Sequence, residues 1–108
     1  MTSYAVDRNK WAKMTIFEQM GNIYSEVGRS FSANRRGDSE ATEMAVTRAI
    51  DLFDATTDVL VANKSPRTKE VLRSKDQFLS VIYGNSASDE QAIDNYFLQY
   101  ALVARNNR

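Results

Sequence analysis

With 108 residues, 43% of them hydrophobic and 26% charged, the chain has room for one domain with one core, and its composition excludes wholesale disorder. It has no cysteine and no histidine, which excludes a disulfide framework, a thiolate metal site and a cysteine nucleophile, and removes the commonest general base. Fourteen basic and fourteen acidic residues cancel, so no net charge points to nucleic acid, and only four glycines and one proline favour long helices over a turn-rich β fold.

Residues 1–14 carry no sustained period and are expected to form a partly ordered arm, or one short helical turn, in which Tyr4, Val6, Trp11 and Met14 could cover one end of a helical core. Thr15 and Glu18 fit a capping box, with the hydroxyl and the carboxylate each taking a backbone N–H. A helix is predicted over 16–33, its apolar stripe made by Met20, Ile23, Tyr24, Val27 and Phe31. Gly37 suits a left-handed helix end, and Asp38 or Ser39 can cap a second helix over 39–62. That helix turns Ala45, Ala49, Leu52, Phe53, Thr56, Val59 and Leu60 inward.

Ser65 followed by Pro66 opens a third helix, 66–83, with Thr68, Val71, Leu72, Phe78, Leu79 and Ile82 on one side. Gly84 and Asn85 stop it, and Ser88 with Gln91 makes a second capping box for a fourth helix, 89–106. Ile93, Tyr96, Phe97, Tyr100, Ala101 and Ala104 of that helix are expected to face inward. Nothing alternates with period two. Loops this short make sequential helices antiparallel neighbours, so the expected fold is all-α, a four-helix up-down-up-down bundle over 15–108 with the N-terminal arm attached.

No apolar run approaches a membrane span, the longest being about 59–62, and the first residues lack a secretory h-region, so the expectation is a cytoplasmic protein that does not enter a membrane. No phosphate-cradling glycine loop, nucleophile elbow or Ser-x-x-Lys context is present, and the Glu-x-x-His pairs of di-iron bundles are absent. The reading therefore assigns no cofactor, no metal and no catalytic residue. Arg36, Gly37 and Asp38 spell an integrin-recognition tripeptide, but at a helix–helix joint it reads as a turn.

Three constellations remain. Lys75 falls in the middle of an apolar stripe, and a buried ammonium must find a carboxylate or run its stem out to water. Glu26, Arg48 and Asp51 flank neighbouring stripes, so these four form a candidate inter-helix polar cluster, either an anion pocket or a structural ion-pair network. In the expected topology Lys13, Lys64, Arg67, Lys69 and Arg105 gather at one end as a basic pole, which could dock phosphates or an acidic protein, or could simply complement helix dipoles. On the last helix Leu98 and Leu102 form a second apolar strip, suited to pairing with another subunit, unless the helix is buried on two sides or the strip is covered by Trp11.

The segments Asn22-Ile23-Tyr24-Ser25-Glu26-Val27-Gly28-Arg29, Arg48-Ala49-Ile50-Asp51-Leu52-Phe53-Asp54, Lys69-Glu70-Val71-Leu72-Arg73 and the stretch from Tyr96 to Arg105 resemble a family of small, uncharacterised prokaryotic helical proteins. The resemblance brings no activity with it. The architecture is also similar to HEPN-type bundles (higher eukaryotes and prokaryotes nucleotide-binding), some of which are ribonucleases or toxin–antitoxin partners. Active members use an Arg-x₄₋₆-His motif, and a chain without histidine cannot carry that role. The functional expectation is a non-catalytic interaction module, self-associating as a homodimer or binding another protein. The alternative is a nucleotide- or nucleic-acid-binding bundle that uses the basic pole.

Overall fold

The computed structural model describes residues 6–84 and 87–106, with 87, 88, 101 and 104–106 described by backbone alone. The chain is all-α. Five helices occupy the described residues, α1 (Arg8–Ala12), α2 (Ile16–Arg35), α3 (Ser39–Ala62), α4 (Thr68–Gly84) and α5 (Ala87–Asn106), and no strand occurs among them.

The helix ends follow from side chains that satisfy the free backbone groups. Asp7 caps α1 by accepting from the N–H groups of Asn9 and Lys10 at 3.1 and 3.2 Å. The capping box forms in full at α2: Thr15 Oγ1 accepts from Glu18 N at 3.1 Å, and Glu18 Oε1 accepts from Thr15 N at 2.8 Å. Asp38, the first of the two caps offered by the sequence, takes Ala41 N at 3.0 Å to open α3.

α2 and α3 end alike. After α2, Gly37 N donates to Asn34 O and Asp38 N to Ala33 O, with Gly37 at φ 73°. After α3, Lys64 N donates to Val61 O and Ser65 N to Leu60 O, and Lys64 takes the left-handed conformation at φ 52°.

Two helix starts differ from expectation. α4 begins at Thr68 rather than Pro66, because Ser65 Oγ accepts from Arg67 N at 3.1 Å and its carbonyl accepts from the Thr68 hydroxyl at 2.9 Å. Those bonds close a turn ahead of the helix. α5 begins at Ala87, which puts Ser88 inside the first turn instead of before it; the side chain of Ser88 lies outside the described residues.

α2 packs most extensively on α3 and then on α5, while α4 lies against α3 and α5 and α1 lies against α3. Rings tie the interior together. Phe78 of α4 meets Phe31 of α2 edge-on at 5.6 Å and Phe53 of α3 at 6.2 Å, and Phe53 meets Phe97 of α5 edge-on at 5.8 Å. Such pairs add roughly 0.5–1.5 kcal/mol each beyond the area they bury. Met20, Ile23, Phe53, Phe78 and Phe97 are fully buried, as the helical stripes require.

The buried face of α4 is rotated from the expected one. Val71, Ser74, Phe78, Val81 and Ile82 form it, and Leu72 stands 42% exposed. Ser74 enters the core because its hydroxyl donates to Val71 O at 2.8 Å, so a polar residue that breaks the apolar pattern costs little there.

Candidate functional site

The four members of the expected polar cluster divide among three separate pairings. Glu26 is buried on α2 and bridges two guanidinium groups: Oε1 accepts from Arg48 Nε of α3 at 3.1 Å, and Oε2 accepts from Arg29 at 2.8 Å. Lys75 reaches Asp54 of α3, with Nζ 2.9 Å from Oδ1. Asp51 turns to the arm, where Oδ2 accepts the Val6 N–H at 2.7 Å and Oδ1 lies 3.4 Å from Arg8. Only Glu26 and Arg48 meet. Asp54, which partners Lys75, carried no signal in the apolar pattern because it lies beside the stripe.

The arm is docked on α3. Trp11 is buried, and its Nε1 donates to Thr56 Oγ1 at 2.9 Å inside the core. The fully buried Gln19 of α2 donates from Nε2 to the carbonyls of Trp11 and Met14 at 2.9 and 3.2 Å, while its Oε1 meets no donor among the described residues. Arg8 lies 2.7 Å from Asp58 as well as reaching Asp51. Burying an indole of roughly 150–250 Å² at about 25 cal/mol per Å² is worth on the order of 4 kcal/mol, so Trp11 outweighs the exposed ion pairs of Arg8 as the anchor. Residues 1–5, including Tyr4, lie outside the described residues.

At one end of the molecule the start of α2, the α3–α4 connection and α5 come together. Arg67 sits over the Phe17 ring with its guanidinium carbon 5.6 Å from the centroid, and Phe17 lies 5.9 Å from Tyr100. Lys13, Lys64 and Lys69 are exposed, and none pairs with a carboxylate among the described residues. The side chain of Arg105 lies outside the described residues.

This end also holds a cluster that the apolar pattern concealed. Glu70 Oε1 accepts from both Tyr96, at 2.8 Å, and Tyr100, and the two phenol oxygens lie 3.4 Å apart. Tyr100 and then Tyr96, by donating to the carboxylate, hold Glu70 below its ordinary range against the opposing effect of partial burial, and Arg67 adds to the lowering. Burial first, and then the hydrogen bonds to each other and to Glu70, push Tyr96 far up. Tyr100 is raised by burial and by Glu70. Phenols at a four-residue helical spacing read as ordinary core positions, yet each buried hydroxyl needs a partner, and that need was the available signal.

On α5, Leu102 is 42% exposed and Leu98 is half-buried. Trp11 is directed at Thr56 of α3. No helix among the described residues is long and apolar enough to cross a membrane, and no group of three or more carboxylates there could hold a metal ion. The chain matches no protein-family model, no curated protein and no solved structure.

Proposed function

We propose that the chain is a non-catalytic helical interaction module that self-associates through the outer strip of α5, with α2 to α5 forming an antiparallel up-down-up-down bundle. Short connections support that arrangement, as does packing that is greater between α2 and α3, α3 and α4, α4 and α5, and α5 and α2 than across the diagonal from α2 to α4. Contacts at both ends support it too: Phe17 with Tyr100 and Arg67 at one, Arg35 with Glu90 at the other. The interior charges Glu26, Arg48 and Lys75 are spent on pairing with one another or with Asp54, a structural use of groups that a reaction would need free.

The observation that carries self-association is Leu102, a large apolar side chain 42% exposed one helical turn from the half-buried Leu98. Size-exclusion chromatography with light scattering tests the reading. The wild-type chain is expected to run as a dimer at high micromolar concentration, and Leu102→Glu as a monomer of unchanged helicity. A wild-type chain that stays monomeric there would remove the reading.

One observation favours a second reading. Arg67 stacked on Phe17 beside the exposed Lys13, Lys64 and Lys69 offers cations and a ring at one pole, the materials of a phosphate- or nucleic-acid-binding surface such as the HEPN-like resemblance implies.

A further inference from the structure

We propose that Tyr96 and Tyr100, by drawing Glu70 onto α5, keep Arg67 open to bind a phosphate of single-stranded nucleic acid; this rests on the reading in which the basic pole binds polyanions. Arg67 directly precedes α4, and its carbonyl accepts the Val71 N–H at 3.0 Å, so it shares the first helical turn with Glu70. Opposite charges three residues apart ordinarily pair across such a turn. Here neither residue makes an ion pair among the described residues.

Each is held elsewhere. Glu70 gives one oxygen to both phenols, with Tyr96 at 2.8 Å, while Arg67 lies over Phe17 of α2, its guanidinium carbon 5.6 Å from the centroid. Phe17 in turn lies 5.9 Å from Tyr100, so one assembly of rings holds the cation at one place and the carboxylate at another. The two remain close enough for Arg67 to help lower the Glu70 carboxyl, and release of Glu70 from the phenols would let them join.

The separation leaves chemistry in hand. A guanidinium paired with Glu70 would have its donors occupied and its charge cancelled, whereas the half-buried Arg67 keeps its planar fork of N–H groups for an anion. Lys64 and Lys69, exposed on either side of it in the chain, add charge. Lys64 does so at a backbone cost, since it holds a left-handed conformation, φ 52°, that glycine adopts freely. A guanidinium bonds phosphate through its edge and stacks through its face, and only an unpaired base is free to stack on it. That combination favours a single strand over a duplex.

Fluorescence anisotropy of a dye-labelled oligouridylate with the full-length chain at low salt provides the test. The wild-type chain is expected to bind it several-fold more tightly than an RNA duplex. Tyr96→Phe with Tyr100→Phe, which keeps both rings and removes both hydroxyls, should weaken binding about tenfold and flatten the salt dependence by roughly 0.7 in log–log slope, the loss of a phosphate contact. Adding Glu70→Gln should restore affinity and slope together, a recovery that damaged packing would not show. Should the two phenylalanines unfold the chain, Tyr96→Phe alone takes their place, with a smaller loss and the same rescue. Undiminished binding by the phenylalanine variant, or a loss that Glu70→Gln leaves in place, would overturn the proposal while the pole still binds polyanions. Equal binding of the duplex or of polyglutamate would overturn the choice of a single strand. No binding by the wild-type chain would remove the reading of the pole and the proposal with it.

Discussion

One oxygen of Glu70 accepts both phenols of Tyr96 and Tyr100, and the pH dependence of the fold should carry its mark. The folded state holds the Glu70 carboxyl below its unfolded value, so its contribution is present above the ordinary carboxylate range and is lost as pH falls through the lowered value. The two phenols run the other way. Raised above the ordinary value of 10.0, they contribute below that pH and lose the contribution as pH climbs toward their folded values. Glu70→Gln should therefore lower the Tm at about pH 7 more than at about pH 3. A Tm difference equal at the two pH values would count against the charged hydrogen bonds. Lys75 shows a related economy, since an ammonium set in an apolar stripe is tolerated once Asp54 lies 2.9 Å away.

At the scale of the helix, the two similar ends of α2 and α3 use different residues for one backbone shape. Gly37 adopts φ 73° at no steric cost, whereas Lys64 at φ 52° sets its Cβ against the following carbonyl, a cost of about 1 kcal/mol. No heavy atom outside its neighbours lies within 4 Å of a Cβ built at Gly37, so the backbone angle alone decides the outcome there. Urea unfolding should show Gly37→Ala destabilised by about 1 kcal/mol and Lys64→Gly stabilised by up to a similar amount. A stabilised Gly37→Ala would contradict the left-handed ending. The glycine end was legible in the sequence because glycine advertises it. The end of α3 at Ala62 was legible as well, but the left-handed conformation of Lys64 was not, because the hydrogen bonds to Val61 and Leu60 impose it from outside the residue.

Across the whole molecule the formal charge sums to zero, and the cations differ in how they are held. Arg8, Arg29, Arg35, Arg48 and Lys75 are engaged by carboxylates, while Lys13, Lys64 and Lys69 are exposed and belong, with the Arg67 that sits over Phe17, to the proposed basic pole. If that pole binds a polynucleotide, affinity should fall steeply with salt. Lys13→Glu with Lys69→Glu should then weaken binding and flatten the dependence by roughly 0.7 in log–log slope for each lost contact to a single strand. Absence of any binding at low salt would leave the pole as an ornament of helix ends.

Periodicity alone was enough to determine that the chain is helical, where α2 and α3 run, and most of the core, because the 3.6-residue repeat is a local property that each helix carries within itself. The missing histidine and cysteine likewise belonged to the sequence before any folding. Which carboxylate meets which cation, that Asp51 serves the arm while Asp54 serves Lys75, and that Tyr96 and Tyr100 converge on Glu70 were decided only in three dimensions. Such pairings depend on the axial register and rotation of one helix against another, and no helix encodes its neighbour's.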